Sequence, residues 1–207
     1  MTFEDPGSDV RLSQLTLGFN SRGLSFGYQR DMFDGGVTGH TYRLGLGAGR
    51  GGLAAGLAAS IYRGDTKGSG WDFGVVYEPV SQVALAGVVM NVKQPVVRGE
   101  LQPATFVPSI AFKPFGPVVT LSSEGRFTSD SVVGYALDGR FTTGGRRAVA
   151  FTVRLDADRS FRRTAWVLGL SIGGRGRVGT AASIPRDINR VDEANLYGLV
   201  SRTGARE

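Results

Sequence analysis

The sequence predicts an all-β chain: an antiparallel up-and-down β-barrel of about 12–14 strands, of the kind that crosses a membrane. Three observations carry this. Apolar residues recur at every second position over most of the chain, the period of a strand with two unlike faces. The connections between these segments alternate in length, short then long. No segment keeps a 3.6-residue apolar stripe for three turns.

The elements follow in order. Leu15, Leu17 and Phe19 alternate with Gln14, Thr16 and Gly18, and Leu24, Phe26 and Tyr28 with Ser25, Gly27 and Gln29. Tyr42, Leu44, Leu46 and Ala48 form the next segment, then Leu53, Ala55, Leu57, Ala59 and Ile61. Trp71, Phe73, Val75 and Tyr77 alternate with Asp72, Gly74, Val76 and Glu78. The run over 83–92 comes next, followed by Phe106, Ile110 and Phe112, then Val119, Leu121 and Phe127. Val133, Tyr135, Leu137 and Phe141 precede Val149, Phe151, Val153 and Leu155. Trp166, Leu168, Leu170 and Ile172 close the strongest part, and weaker segments follow at 178–184 and 194–201.

Short connections fall at 20–23, 50–52, 79–82, 114–117, 143–147 and 173–177. Their Gly, Asn and Pro residues supply the φ angles of tight hairpins. Mostly longer, polar connections fall at 30–39, 63–70, 93–104 and 156–164, with 128–131 an exception in length. Short turns at one end and long loops at the other are the pattern of an outer-membrane barrel. Strands of about 9 to 11 residues also suit a tilted bilayer crossing.

Counting from Leu12 gives thirteen strands. Single-chain bacterial barrels have even strand numbers, so the expectation is fourteen with a strand missing upstream, and the chain reads as a fragment. Residues 1–9 are then the remnant of a loop, 10–203 the barrel domain and 204–207 a tail.

Composition narrows the function. The chain has 207 residues and no cysteine, which excludes disulfides, thiolate metal sites and cysteine catalysis. His40 is the one histidine, so no site can use two imidazoles. Glycine supplies 32 residues, about twice the usual 7% share. The uncharged run at 83–92 is about half of what a spanning helix needs. Only Lys67, Lys93 and Lys113 are lysine among 24 basic residues, and the net charge is +6. These charges are spaced through turns and strands rather than gathered on one face, which argues against a nucleic-acid partner.

The two faces of the strands differ in kind. One carries Leu, Phe, Tyr, Val and Trp. The other carries Gly, Ala, Ser, Thr and isolated charges, among them Asp156 and eight candidates for lining a lumen: Arg43, Asp72, Glu78, Glu124, Arg126, Asp138, Arg140 and Arg154. Carboxylates and guanidinium groups of neighbouring strands can pair there. Tyr28, Tyr42, Trp71, Tyr77, Tyr135 and Trp166 lie near strand ends, where rings sit at membrane interfaces. The alternative is a soluble barrel or sandwich with the apolar face turned inward around an apolar ligand. Uninterrupted hairpin order, turn lengths sorted by side and the lack of a Lys/Glu-rich coat favour the membrane.

Motifs add no chemistry. The segment 49–54 matches G-x-G-x-x-A, but it joins two period-two segments and opens no helix. His40 has no ligand-spaced partner, and a lone histidine argues against a catalytic triad. Glu124 and Asp138 read as lumenal charges rather than a general acid and base. No catalytic residue, metal ligand or cofactor site is expected. Arg22, Arg50, Arg146, Arg147, Arg175 and Arg177 all fall in short turns, either as holders of lipid phosphates or as solubilising residues.

Segments such as Tyr42-Arg43-Leu44-Gly45-Leu46-Gly47 and Trp71-Asp72-Phe73-Gly74-Val75-Val76-Tyr77-Glu78-Pro79 resemble the fatty-acid-transporter-like outer-membrane proteins. The likeness continues through 83–92 and 106–114 and spans roughly Leu12 to Ile172. Within that group the chain is most similar to the barrel domain that precedes the peptidase in some signal peptide peptidase A homologues. The resemblance implies a fourteen-stranded barrel. It implies either movement of hydrophobic molecules or service as an anchor or secretion partner. The transporters' N-terminal plug and the peptidase's catalytic Ser and Lys have no counterpart in this sequence. The expectation is therefore a non-enzymatic barrel of the bacterial outer membrane. Its partners would be outer-membrane lipid, a hydrophobic small molecule, and a C-terminal periplasmic domain or secretion partner.

Overall fold

The computed structural model describes residues 1–4, 11–32, 38–64, 68–97, 100–144, 148–173, 176–188 and 190–200. The alternating segments form the strands β1 (Thr2–Glu4), β2 (Arg11–Ser21), β3 (Leu24–Met32), β4 (Thr38–Arg50), β5 (Leu53–Gly64), β6 (Gly68–Val80) and β7 (Val83–Met90). A small hairpin of β8 (Val96–Val97) and β9 (Glu100–Leu101) interrupts the meander. The wall resumes with β10 (Thr105–Phe112), β11 (Val119–Thr128), β12 (Val132–Thr142) and β13 (Ala148–Asp158). It ends with β14 (Arg163–Gly173), β15 (Gly176–Pro185) and β16 (Glu193–Val200). All but β8 and β9 join in one closed antiparallel barrel of fourteen strands, each beside its sequence neighbour. Among the described residues no helix is long and apolar enough to cross a membrane, which says nothing of a barrel.

The barrel closes through β1. Thr2 stands opposite Asn195 of β16 and Gln14 of β2. Residues 2–4, expected within a loop, are therefore wall, and they occupy the place that the strand count assigned to an upstream strand. Three residues are too few to show a period-two pattern. Their strand state comes from pairing on both sides, with the Leu196 N–H donating to the Met1 carbonyl at 2.9 Å and Ser13 Oγ donating to the Thr2 carbonyl at 3.2 Å. Residues 5–9 of the expected loop, the tail 204–207 and the turn arginines Arg146, Arg147 and Arg175 lie outside the described residues.

Local chemistry sets the two ends. At the short-turn end, Arg22 and Gly23 both take positive φ (48° and 86°), as do Gly51 and Gly52 (61° and 82°), the geometry that a two-residue hairpin requires. The turn carbonyls also brace the next hairpin: Gly23 accepts from the Gly47 N–H and Gly52 from the Glu78 N–H, each at 2.7 Å. At the other end the strands run further than their apolar pattern. The connection expected over 156–164 shrinks to 159–162, because Asp158 Oδ1 accepts from the Ser160 and Arg162 N–H groups at 2.8 and 2.9 Å and folds a tight turn. Its neighbour, 129–131, is one residue shorter still.

Apolar residues lie on the outside. Leu17, Leu46, Leu137 and Phe151 are each about half exposed or more, and cross-strand register aligns them in rows such as Leu24–Leu46–Leu57–Phe73 and Leu137–Leu155–Trp166. Among the described residues the buried apolar set is Ala136 and Ala150, whereas Thr41, Ser60 and Ser171 are buried polar. The polarity is thus inverted relative to a water-soluble fold, in which large apolar side chains fill the interior.

Candidate functional site

The positions opposite the apolar rows face the lumen. Its walls are unlike each other. On β4, β5 and β6, Gly45, Gly47, Ala54, Gly56, Ala58 and Gly74 line a shallow groove of about 440 Å³. Alternation of these small residues with Leu44, Leu46 and Leu57 places the bulk of each strand outside and leaves the inner surface smooth.

The facing wall, on β11, β12 and β13, is charged. The Arg154 guanidinium donates to three carboxylates: Nη2 to Glu124 Oε1 at 2.6 Å, Nε to Asp156 Oδ1 at 2.9 Å and Nη1 to Asp138 Oδ2 at 3.5 Å. Arg126 Nη2 adds a second bond to Glu124 Oε1 at 2.7 Å. Register explains the convergence. Asp138 is directly opposite Arg154, and Ala136, with no side chain beyond Cβ, stands between Glu124 and Asp156 and leaves room for the guanidinium to cross. Arg154 and Glu124 are about three-quarters shielded from solvent. Low local dielectric strengthens these charge-assisted bonds. With Asn91, Gln102 and Thr105, the charged wall borders a cavity of about 630 Å³ beneath the long connection between β7 and β10.

The other four candidates do not join this network. Asp72 Oδ1 accepts from the Asn91 N–H at 2.8 Å and so ties β6 to that long connection. Glu78 Oε1 pairs with Lys113 Nζ at 3.2 Å near the short-turn end. Arg43 stands on β4 opposite Gly27 of β3 and Ser60 of β5. Arg140 borders a third cavity, at the short-turn mouth, together with Lys113 and Arg177.

A second polar network escapes the sequence reading. Asp31, buried, accepts from Gln14 Nε2 at 3.0 Å and Gln29 Nε2 at 2.8 Å. Thr2 Oγ1 donates to Asn195 Oδ1 at 2.5 Å, and Asn195 Nδ2 donates to Glu193 Oε1 at 2.9 Å. These groups surround the closing strand β1, so assigning residues 1–9 to a loop hid them. Lys113 follows Phe112 in the alternation of β10, and that parity could have placed it inward.

Five of the six aromatic residues expected at an interface lie within about four residues of the long-loop end: Tyr28, Tyr42, Trp71, Tyr135 and Trp166. Tyr28 packs on Tyr42 with ring centroids 5.4 Å apart, and its hydroxyl bonds His40 Nδ1 at 2.9 Å. Tyr135 stacks on Phe161 at 4.4 Å. His40 thus serves an aromatic cluster, and no group of metal-ligating side chains occurs among the described residues. No family model, curated protein or solved structure matches this chain.

Proposed function

We propose that the chain is an outer-membrane β-barrel of the fatty-acid-transporter-like kind, a membrane anchor or a pore for hydrophobic or small molecules, with no catalysis of its own. The observation that carries this reading is the inverted polarity of a closed wall. Large apolar side chains from Leu17 to Leu199 are exposed, while Thr41, Ser60, Ser171 and the Arg154 network turn inward. Such a surface is costly in water and suited to acyl chains. A closed barrel also satisfies its backbone without solvent, as the hydrocarbon region demands. Strands of 10 to 13 residues, as in β4, β6 and β11 to β14, rise about 3.3 Å per residue. When tilted they cover a band near 25 Å.

The register weighs against a soluble barrel with an apolar ligand inside, because that arrangement needs Leu44, Phe73 and Phe151 in the interior. Outer-membrane lipid is then the main partner. The charged wall and the smooth wall together suit a small solute with both polar and apolar parts. As an anchor, the same barrel would hold a C-terminal periplasmic domain or a secretion partner near the membrane.

Tryptophan fluorescence tests the reading. Trp71 and Trp166, the two tryptophans of the chain, both take outward positions of the wall. In vesicles of lipids brominated on the acyl chains, their emission should be quenched strongly. Emission unaffected by bromine and open to aqueous iodide would contradict membrane embedding. Conductance across a planar bilayer separates pore from anchor.

A further inference from the structure

We propose that the short-turn mouth of the lumen is a binding site for a small multivalent oxyanion. The cavity there measures about 670 Å³ and is lined by Ser81, Lys113, Thr120, Arg140, Thr142 and Arg177, among others. Its charged lining residues are all cationic. The contrast with the opposite end of the lumen is specific. Arg126 and Arg154 are held by carboxylates at 2.6–2.9 Å, whereas the side chains of Arg140 and Arg177 have no carboxylate or other hydrogen-bond partner among the described residues. Lys113 keeps one contact, to Glu78.

The fold brings these cations together from separate parts of the wall. Arg140 stands on β12 opposite Thr120 of β11. Lys113 directly follows β10, and its N–H donates to the Gln82 carbonyl of the neighbouring turn at 2.7 Å. Arg177 comes from β15, separated from β12 by β13 and β14. Parity turns it inward, since Arg177 pairs with Gly173 and its neighbour Val178 pairs with the outward Ile172. Two guanidinium groups and an ammonium that Glu78 pairs thus line one space, and the two guanidinium charges have no counter-charge there. A bound anion supplies that counter-charge.

The ligand class follows from the donors. Guanidinium forks match the paired oxygens of phosphate and carboxylate groups. The hydroxyls of Ser81, Thr120 and Thr142 add neutral donors for the remaining lone pairs. The volume lies within the range of small-ligand sites. A pyrophosphate, an organic bisphosphate or a tricarboxylate meets all three conditions. The site does not depend on the barrel's being a pore, and it stands equally in an anchor.

Calorimetric titration of the folded, detergent-held chain with inorganic pyrophosphate tests the site. Saturable binding is expected, weakened at least tenfold by Arg140→Gln and by Arg177→Gln. Arg50→Gln, at the outward end of β4 on the same rim, should bind as the parent does. Band shifts of unheated samples on gels show which variants are folded. If a variant fails to fold, Arg140→Lys should bind at least threefold more weakly, since it keeps the charge and loses the fork. Titration without saturation, or equal weakening by Arg50→Gln, would overturn the proposal. Tighter binding of dihexanoyl phosphatidic acid than of pyrophosphate would move the site to a lipid headgroup and overturn the soluble-anion assignment.

Discussion

Arg154 on β13 bonds Glu124 on β11 at 2.6 Å, spanning the whole width of β12. The bond is the centre of a network in which one guanidinium bonds Glu124, Asp138 and Asp156 at once. Arg154→Leu should leave three carboxylates in mutual repulsion and lower stability by about 1–3 kcal/mol, the range for losing a charge-assisted bond that is only partly shielded. Adding Glu124→Gln to that variant should recover part of the loss. Urea unfolding in detergent micelles, arranged as a double-mutant cycle, gives both quantities.

The outward rows predict a different response. Leu44→Arg and Phe151→Arg each place a charge among exposed apolar neighbours. If these positions lie near the midplane, each should impair insertion into vesicles by about 2–4 kcal/mol. Arg140→Ala, on the inward face, should insert like the parent. Equal behaviour of the two classes would reverse the assignment of faces.

Neighbouring glycines in one turn should differ. Gly51 and Gly52 both have positive φ, but a Cβ at Gly51 meets open space, while one at Gly52 meets the Glu78 carbonyl. Gly51→Asn should be neutral, since Asn-Gly is a favoured hairpin turn. Gly52→Ala should cost about 1–3 kcal/mol. Unfolding midpoints of the two variants decide the matter.

The seam at β1 predicts a local effect. Thr2→Val removes the donor to Asn195 Oδ1 and should cost about 1–2 kcal/mol. Amide exchange at Leu196, whose N–H is bonded to the Met1 carbonyl, should quicken. Thr2→Ser should restore most of the protection.

Much of this architecture was legible in the sequence, and the exceptions have physical causes. Period-two alternation is dictated by each strand's own residues, so segments such as 71–78 and 149–155 declared both strand and face. The difference in turn length likewise sorted the two ends of the barrel. Contacts between strands distant in sequence were not legible, because register decides them. The sequence marks Glu124 and Arg154 as inward charges but does not say that Arg154 crosses over Ala136 to reach Glu124. Short strands were invisible for a related reason. Thr2–Glu4 and the hairpin of β8 and β9 have two or three residues each, and pairing partners stabilise them rather than pattern. The gathering of Lys113, Arg140 and Arg177 at one mouth depends on the curvature of the wall, which sets β10, β12 and β15 around one cavity.

Refolding with and without detergent micelles, followed by electrophoresis of unboiled and boiled samples, tests the central claim most directly. A faster band that requires detergent and vanishes on boiling is the predicted result, and it places the apolar wall against lipid. A soluble, monodisperse β-protein formed without detergent would contradict the account, because the exposed Leu and Phe rows could not then face water as they do here.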